Sequence, residues 1–279
     1  MENHFDFFAF YGIIYNESLK KCKKFLLYTG GEINSMSEVI AVTSGKGGTG
    51  KSTVCAGLGN ALANSGFTVV ILELDFGFRC LDHFFGISSQ VESDISDYIS
   101  GRCRLKECVN KIPAVPGLSI ICAPTDFSAE FDCEKIAEAV SQLKNLYDFV
   151  LIDTGAGADK NVIRALTEAD RIFFVITPDN ICIRDVSRLS DEFYRYGCDN
   201  QRLVINRVHK KYIDYGIVDN LDTVIDKSGI QLIGVVPEDN ALTLFYGKSA
   251  GISDGSPGYN AFMAIVRRIC GENAPLTIK

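Results

Sequence analysis

The sequence lacks any run of about 18 uncharged apolar residues, which excludes a membrane-spanning helix. It also lacks a C-x-x-C pair: its ten cysteines are scattered, several in apolar runs such as Ser119-Ile120-Ile121-Cys122 and Arg268-Ile269-Cys270. That pattern argues against a disulfide framework or a zinc or iron–sulfur site, and for reduced, buried thiols in a cytosolic protein. The tightest pair, Cys103 and Cys108, has four residues between its members. Proline is scarce, at 7 of 279 residues, and no linker or internal repeat divides the chain, so one large domain is the economical reading. Basic residues are not in excess; a net charge of −7 speaks against a protein that coats nucleic acid non-specifically.

What is present centres on Gly45-Lys46-Gly47-Gly48-Thr49-Gly50-Lys51-Ser52, which spells G-x-x-x-x-G-K-[ST] and is followed by Thr53. An apolar run, 39–43, precedes it and a helix-periodic segment, 53–63, follows, the strand, turn and helix context in which such a loop cradles phosphates on a helix N-terminus. The glycines at 45, 47, 48 and 50 are expected where a Cβ would clash or forbid the dihedrals. Lys51 is expected to reach the β- and γ-phosphates, and the Ser52 hydroxyl to ligate Mg²⁺. Lys46 is a second lysine where most such loops carry no charge.

From residue 39 onward, strand-like runs at 39–43, 68–74, 118–122, 149–152, 171–176, 203–205 and 230–236 alternate with helix-period segments. This predicts an α/β fold: a single-domain, doubly wound, mostly parallel sheet with helices on both faces. Segment 132–147, with Ile136, Val140, Leu143 and Leu146 on one face and Asp132 as cap, is predicted helical, as is 181–196. Residues directly after strands then carry the chemistry. Asp75 closes the second run and can reach a Mg²⁺-bound water and orient the attacking one. Asp153 closes 149–152 as the carboxylate that helps hold Mg²⁺. Thr154-Gly155-Ala156-Gly157 follows as a backbone switch able to move toward the γ-phosphate.

The stretch 44–53, SGKGGTGKST, resembles the deviant Walker A motif K-G-G-x-G-K-[ST] of the MinD/ParA ATPases, and the resemblance runs from about Met36 to the C-terminus. Gly77-Phe78-Arg79-Cys80-Leu81-Asp82 is similar to the G-L-R-N-L-D of the MinD branch, Gly101-Arg102-Cys103 to its G-R-C, and Arg184-Asp185 to its R-D. The resemblance implies a slow, partner-stimulated, Mg²⁺-dependent ATPase that pairs as a homodimer when ATP-bound, with Lys46 reaching the partner subunit's nucleotide. It implies that Asp75 is the catalytic aspartate and that Asn206, Arg207, Pro237 and Glu238 lie in two loops that sandwich adenine. It also implies a role in division-site selection, an activator or effector protein of the MinC, MinE or MinJ type, and a cytoplasmic protein able to sit peripherally on the inner face of the cell membrane. Glu73 stands in place of the branch's aspartate and Cys80 in place of its asparagine. Thr154-Gly155-Ala156-Gly157 is closer to the flagellar-number ATPases of the family, whose N-terminal D-Q-A-x-x-L-R is missing.

Three other readings stay open at this point. A ParA-type DNA-partitioning ATPase would use a basic cluster at Arg202, Arg207, His209, Lys210 and Lys211, against the acidic balance. An iron–sulfur carrier would need bridging cysteines, and an ordinary kinase would not need Lys46. Residues 1–35, with an aromatic stretch at 5–15 and basic residues at 20–24, are expected to be an extension dispensable for the chemistry. Beyond Cys270 the tail is too poor in apolar residues to bind a membrane interface, and Lys279 falls about where the branch continues into its membrane-targeting helix. Membrane attachment is thus either lost or taken over by the N-terminus.

Overall fold

The computed structural model describes residues 37–157, 159–209, 211, 221–244 and 255–276; the expected extension 1–35 and Lys210 lie outside the described residues. The strands are β1 (Glu38–Ser44), β2 (Val69–Leu74), β3 (Asn110–Lys111), β4 (Leu118–Ile121), β5 (Phe149–Ala156), β6 (Arg171–Ile176), β7 (Gln201–Val208) and β8 (Leu232–Pro237). They form one sheet in the order β3-β4-β2-β5-β1-β6-β7-β8. Every pairing is parallel except that of the two-residue edge strand β3 with β4. The described helices are α1 (Lys51–Asn64), α2 (Leu81–Phe84), α3 (Ile95–Ile99), α4 (Cys133–Lys144), α5 (Lys160–Ala165), α6 (Asn180–Arg195), α7 (Leu221–Ser228), α8 (Asn240–Leu244) and α9 (Pro257–Ile269).

The apolar runs become strands because both faces of the sheet are covered, so alternate residues enter two different cores. Ile40, Val42 and Ile71 pack with α1 and α9 on one side. Val39, Ala41, Val70 and Leu72 pack with α4 and α6 on the other. Each such aliphatic side chain contributes about 1.5–3 kcal/mol of burial. The contact of α1 with α9 is close enough that a Cβ on Gly57 would stand 2.1 Å from the Phe262 ring.

The predicted doubly wound architecture is found. Its boundaries differ in instructive places. β5 continues to Ala156, so Asp153 lies inside a strand and not at its end. Thr154 hydroxyl donates to the Val42 carbonyl at 3.1 Å, and Gly157 N–H donates to Ser44 at 2.9 Å. α4 takes Asp132 as its cap, as expected, but stops at Lys144, which leaves Leu146 outside the helix and 67% exposed. α6 starts one residue earlier than predicted, on an Asp179 cap.

Candidate nucleotide site

The loop 45–50 leaves the end of β1 and feeds α1. Gly50 sits at φ 91°, a conformation an L side chain resists, and a Cβ there would lie 2.3 Å from the Asn206 amide nitrogen. At Gly45 a Cβ would press on the Asp185 backbone at 2.9 Å, so the Arg184-Asp185 motif on α6 is the wall against which the loop begins. Gly48, with open space around it, meets the expectation through its φ of 80°; Gly47 departs from it, having neither a close neighbour nor a positive φ. α4, α5 and α6 each carry an aspartate whose side chain caps the first amides, and α9 uses Ser256. α1 has no side-chain cap, so its first N–H groups point from a helix N-terminus into the loop, ready for an anion.

The two lysines have different addresses. Lys51 is 7% exposed and its charge acts on Asp75 and Asp153. Lys46 is exposed. Its charge reaches Asp179, where hydrogen bonds from Cys182 and Thr177, with Lys46 adding to them, outweigh burial and hold the carboxyl below its usual range.

Asp75 and Asp153 lie within reach of the Lys51 charge, and Glu73 lies beside Asp153. β5 lies between β1 and β2, with Asp153 in register with Val42 on one side and Glu73 on the other. Asp153 is fully buried, and neither carboxylate oxygen closes a hydrogen bond. Burial pushes its carboxyl up to about 7, while Ser52 and Lys51 pull the other way. A buried, unpaired carboxylate is costly unless something positive meets it. Hard oxygen donors on Asp153, Ser52 and Asp75, beside an uncapped helix N-terminus, suit Mg²⁺ on a phosphate chain. Asp75 is half-buried, raised by burial and held back by Lys51, and its Oδ1 would stand 3.0 Å from a Cβ on Gly155.

Glu73 is the residue whose role sequence reasoning missed. It is completely buried at the end of β2, and its carboxylate accepts the N–H groups of Cys80 at 2.7 Å, Leu81 at 3.0 Å and Ala123 at 3.1 Å. One side chain thus ties the segment after β2 to the end of β4. The same segment is closed by an Arg79–Asp82 ion pair at 2.7 Å, which explains the G-x-R-x-L-D pattern physically. A glutamate inside an apolar strand was the available signal. Cys80 Sγ lies within 4.8 Å of carboxylate oxygens of both Glu73 and Asp153, the one His/Cys/Asp/Glu group among the described residues spaced to hold a metal ion.

Beyond the loop, Thr53, Asn206, Arg207, Pro237 and Glu238 line one cavity of about 270 Å³, together with Asp239 and Leu242, which the sequence did not single out. Pairing of Val208 with Pro237 brings the two strand ends together. Arg207 holds φ 55°, the left-handed region that non-glycine residues seldom occupy. Asn206 is 3% exposed and its amide donates to the Thr49 carbonyl at 2.8 Å, so it braces the phosphate loop as well as lining the cavity. The basic cluster is divided. Arg202 lies near the start of β7 with its guanidinium on the Gln201 carbonyl, about 16 Å along the strand from Arg207 at the other end.

A glycine loop on a central parallel strand, an uncapped helix and a buried lysine beside paired strand carboxylates define a P-loop nucleotide-binding domain. The family model of the CobQ/CobB/MinD/ParA nucleotide binding domain matches residues 40–249. The septum site-determining protein MinD of Bacillus subtilis is 31% identical over 248 residues, 87% of this chain and 92% of its own length. Among solved structures, the MinD cell division protein of Aquifex aeolicus superposes with a TM-score of 0.78 at 30% identity, covering 87% of this chain and all of that one. The MinC:MinD complex from the same organism contains a chain with a TM-score of 0.80 and 30% identity, covering 87% of this chain and 99% of that one. The chain belongs to the MinD/ParA family and is a MinD-type ATPase of the septum-site-determining group.

Proposed function

We propose that this ATPase is a Mg²⁺-dependent switch between monomer and homodimer that acts in selecting the division site. Magnesium, when bound with ATP, supplies positive charge that offsets charge on the phosphates. Lys51 and the α1 amides would hold the phosphates, Ser52, Asp153 and Asp75 would hold the metal, and Asp75 would orient the attacking water. Thr53, Asn206, Arg207, Pro237 and Glu238 hold adenine. Thr154 to Gly157, together with Asp75 against Gly155, respond to the γ-phosphate. Two nucleotide-bound copies pair face to face, each lending Lys46 to its partner's phosphates, where a positive charge lowers the barrier to transfer. Hydrolysis ends the pairing, so the output is a population shift.

The observation that carries this reading is the division between a buried Lys51 and an exposed Lys46 on one loop. The loop needs one lysine for its own ligand, and the other is turned outward. The 30% identity to a chain solved with MinC supports a MinC-type protein partner, and an activator of the MinE or MinJ type would accelerate hydrolysis. Residues 36–279 form the ATPase domain and residues 1–35 an extension to it. No helix among the described residues is long and apolar enough to cross a membrane; we place the protein in the cytoplasm and leave attachment to the inner membrane face to the liposome comparison that follows. Sedimentation with ATP and Mg²⁺, with and without anionic liposomes, tests the scheme. The parent and Asp75→Ala pair on adding ATP, whereas Lys46→Ala pairs weakly; equal behaviour of all three refutes the exchange of lysines.

A further inference from the structure

Cys103 and Cys108 take no part in the nucleotide site, yet their sulfur atoms lie 3.3 Å apart. Cys103 is half-buried just beyond α3, in the Gly101-Arg102-Cys103 motif that the nucleotide chemistry leaves unused. Cys108 is fully buried, and its S–H donates to the Asp94 carbonyl at 3.1 Å. The separation of the two thiols is set by the fold. Between them runs a single 3₁₀ turn, Leu105–Glu107, with Leu105 anchored in the core and Arg104 paired to Glu107 at 2.7 Å. A cleft of about 630 Å³, lined by Tyr98, Cys103, Leu105, Gln142 and Leu146 among others, opens onto the Cys103 side.

We propose that Cys103 and Cys108 form a reversible intramolecular disulfide, a modification site separate from the nucleotide pocket, whose oxidant is a low-molecular-weight disulfide admitted through this cleft. Access decides which sulfur acts first. The Cys103 thiolate attacks one sulfur of the reagent; the reagent's S–S bond breaks, a mixed disulfide forms on Cys103, and the first small thiol leaves and takes up a proton. Cys108 then releases its proton to water, its sulfur attacks the Cys103 sulfur, and the second small thiol is expelled. The protein loses two protons and two electrons, which the reagent disulfide takes up in becoming two thiols. Burial, together with the hydrogen bond and charge of Cys103, pushes the Cys108 thiol well up, which disfavours Cys108 as the thiol that attacks the reagent first. Bond formation needs the sulfurs to close from 3.3 Å to ~2.0 Å.

The test uses the reduced full-length chain incubated with oxidised glutathione, followed by intact mass and peptide mapping. The parent is expected to lose two hydrogens, retain no glutathione, and yield a peptide cross-linked between 103 and 108 that dithiothreitol releases. Cys108→Ala traps glutathione on Cys103, and Cys103→Ser leaves Cys108 unmodified. A stable glutathione adduct on Cys103 of the parent, a cross-link joining either residue to another cysteine, or no reaction overturns the proposal. Because the decisive measurement is on the parent, it stands even where a substitution disturbs folding.

Discussion

The two ends of the nucleotide site are built differently. The phosphate end lies over the middle of the sheet, where β5, β1 and β2 are neighbours, and its polar residues Ser44, Thr49, Lys51, Glu73, Asp153 and Thr154 are all buried. The end proposed to hold the base lies at the outer strands β7 and β8, where Arg207 and Glu238 are exposed and Arg207 in the left-handed region lines the cavity. Central strands have neighbours on both sides, so a polar group there is fixed by what surrounds it and costs much to disturb. Strand ends near the sheet edge tolerate change, because water replaces what is lost. The phosphate end is therefore expected to behave as part of the core, the base end as a surface.

The largest test of that contrast is Glu73→Ala. Removing the carboxylate strands the amides of Cys80, Leu81 and Ala123 without their acceptor, and a loss of about 3 kcal/mol or more is expected in chemical denaturation. A loss below about 1 kcal/mol would show that water serves these amides and that the contrast is false. The next effect is in pH. Burial raises the Asp153 carboxyl from its ordinary 3.8 to about 7 in the ligand-free protein. The unfolded chain releases that proton at the lower value, so the associated stability is complete below 3.8 and is lost as pH rises through about 7. Thermal melts of the ligand-free parent should lose stability over that window relative to Asp153→Asn, which has no proton to release. Parallel curves for the two proteins would contradict it. The smallest effect belongs to the base end: Arg207→Gly relieves the left-handed backbone and is expected to stabilise by up to about 1 kcal/mol, with little change in the melt's cooperativity.

Legibility followed the same division. The loop 45–52, the strand at 171–176 and the Asp132 cap are local features, and each was readable because chain neighbours alone determine it. Lys51 was legible from the loop motif, and Asp75 and Asp153 because an apolar run followed by a carboxylate is a short-range pattern; in the structure the Lys51 charge acts on both carboxylates. Glu73 was not assigned its role, because its partners are seven, eight and fifty residues away, and nothing in a strand sequence announces which distant amides need an acceptor. The double duty of Asn206 escaped for the same reason: its partner Thr49 is 157 residues away. Leu146 was misjudged because helical spacing continues past the residue at which the helix ends. Arg202 was grouped with Arg207 by nearness along the chain, although an extended strand carries the two to opposite ends of the sheet.

One consequence follows from β5 running on past Asp153. Thr154 and Ala156 are rungs of the sheet, Thr154 opposite Leu74 and Ala156 opposite Ser44 after a register shift, and the Gly157 amide is bonded to Ser44 at 2.9 Å. Ser44 is also the residue from which the phosphate loop departs. Whatever a bound triphosphate tells this segment must therefore be spoken as the unzipping or tightening of a seam, and the loop and its listener are sewn along one edge, so neither can shift without tugging the other.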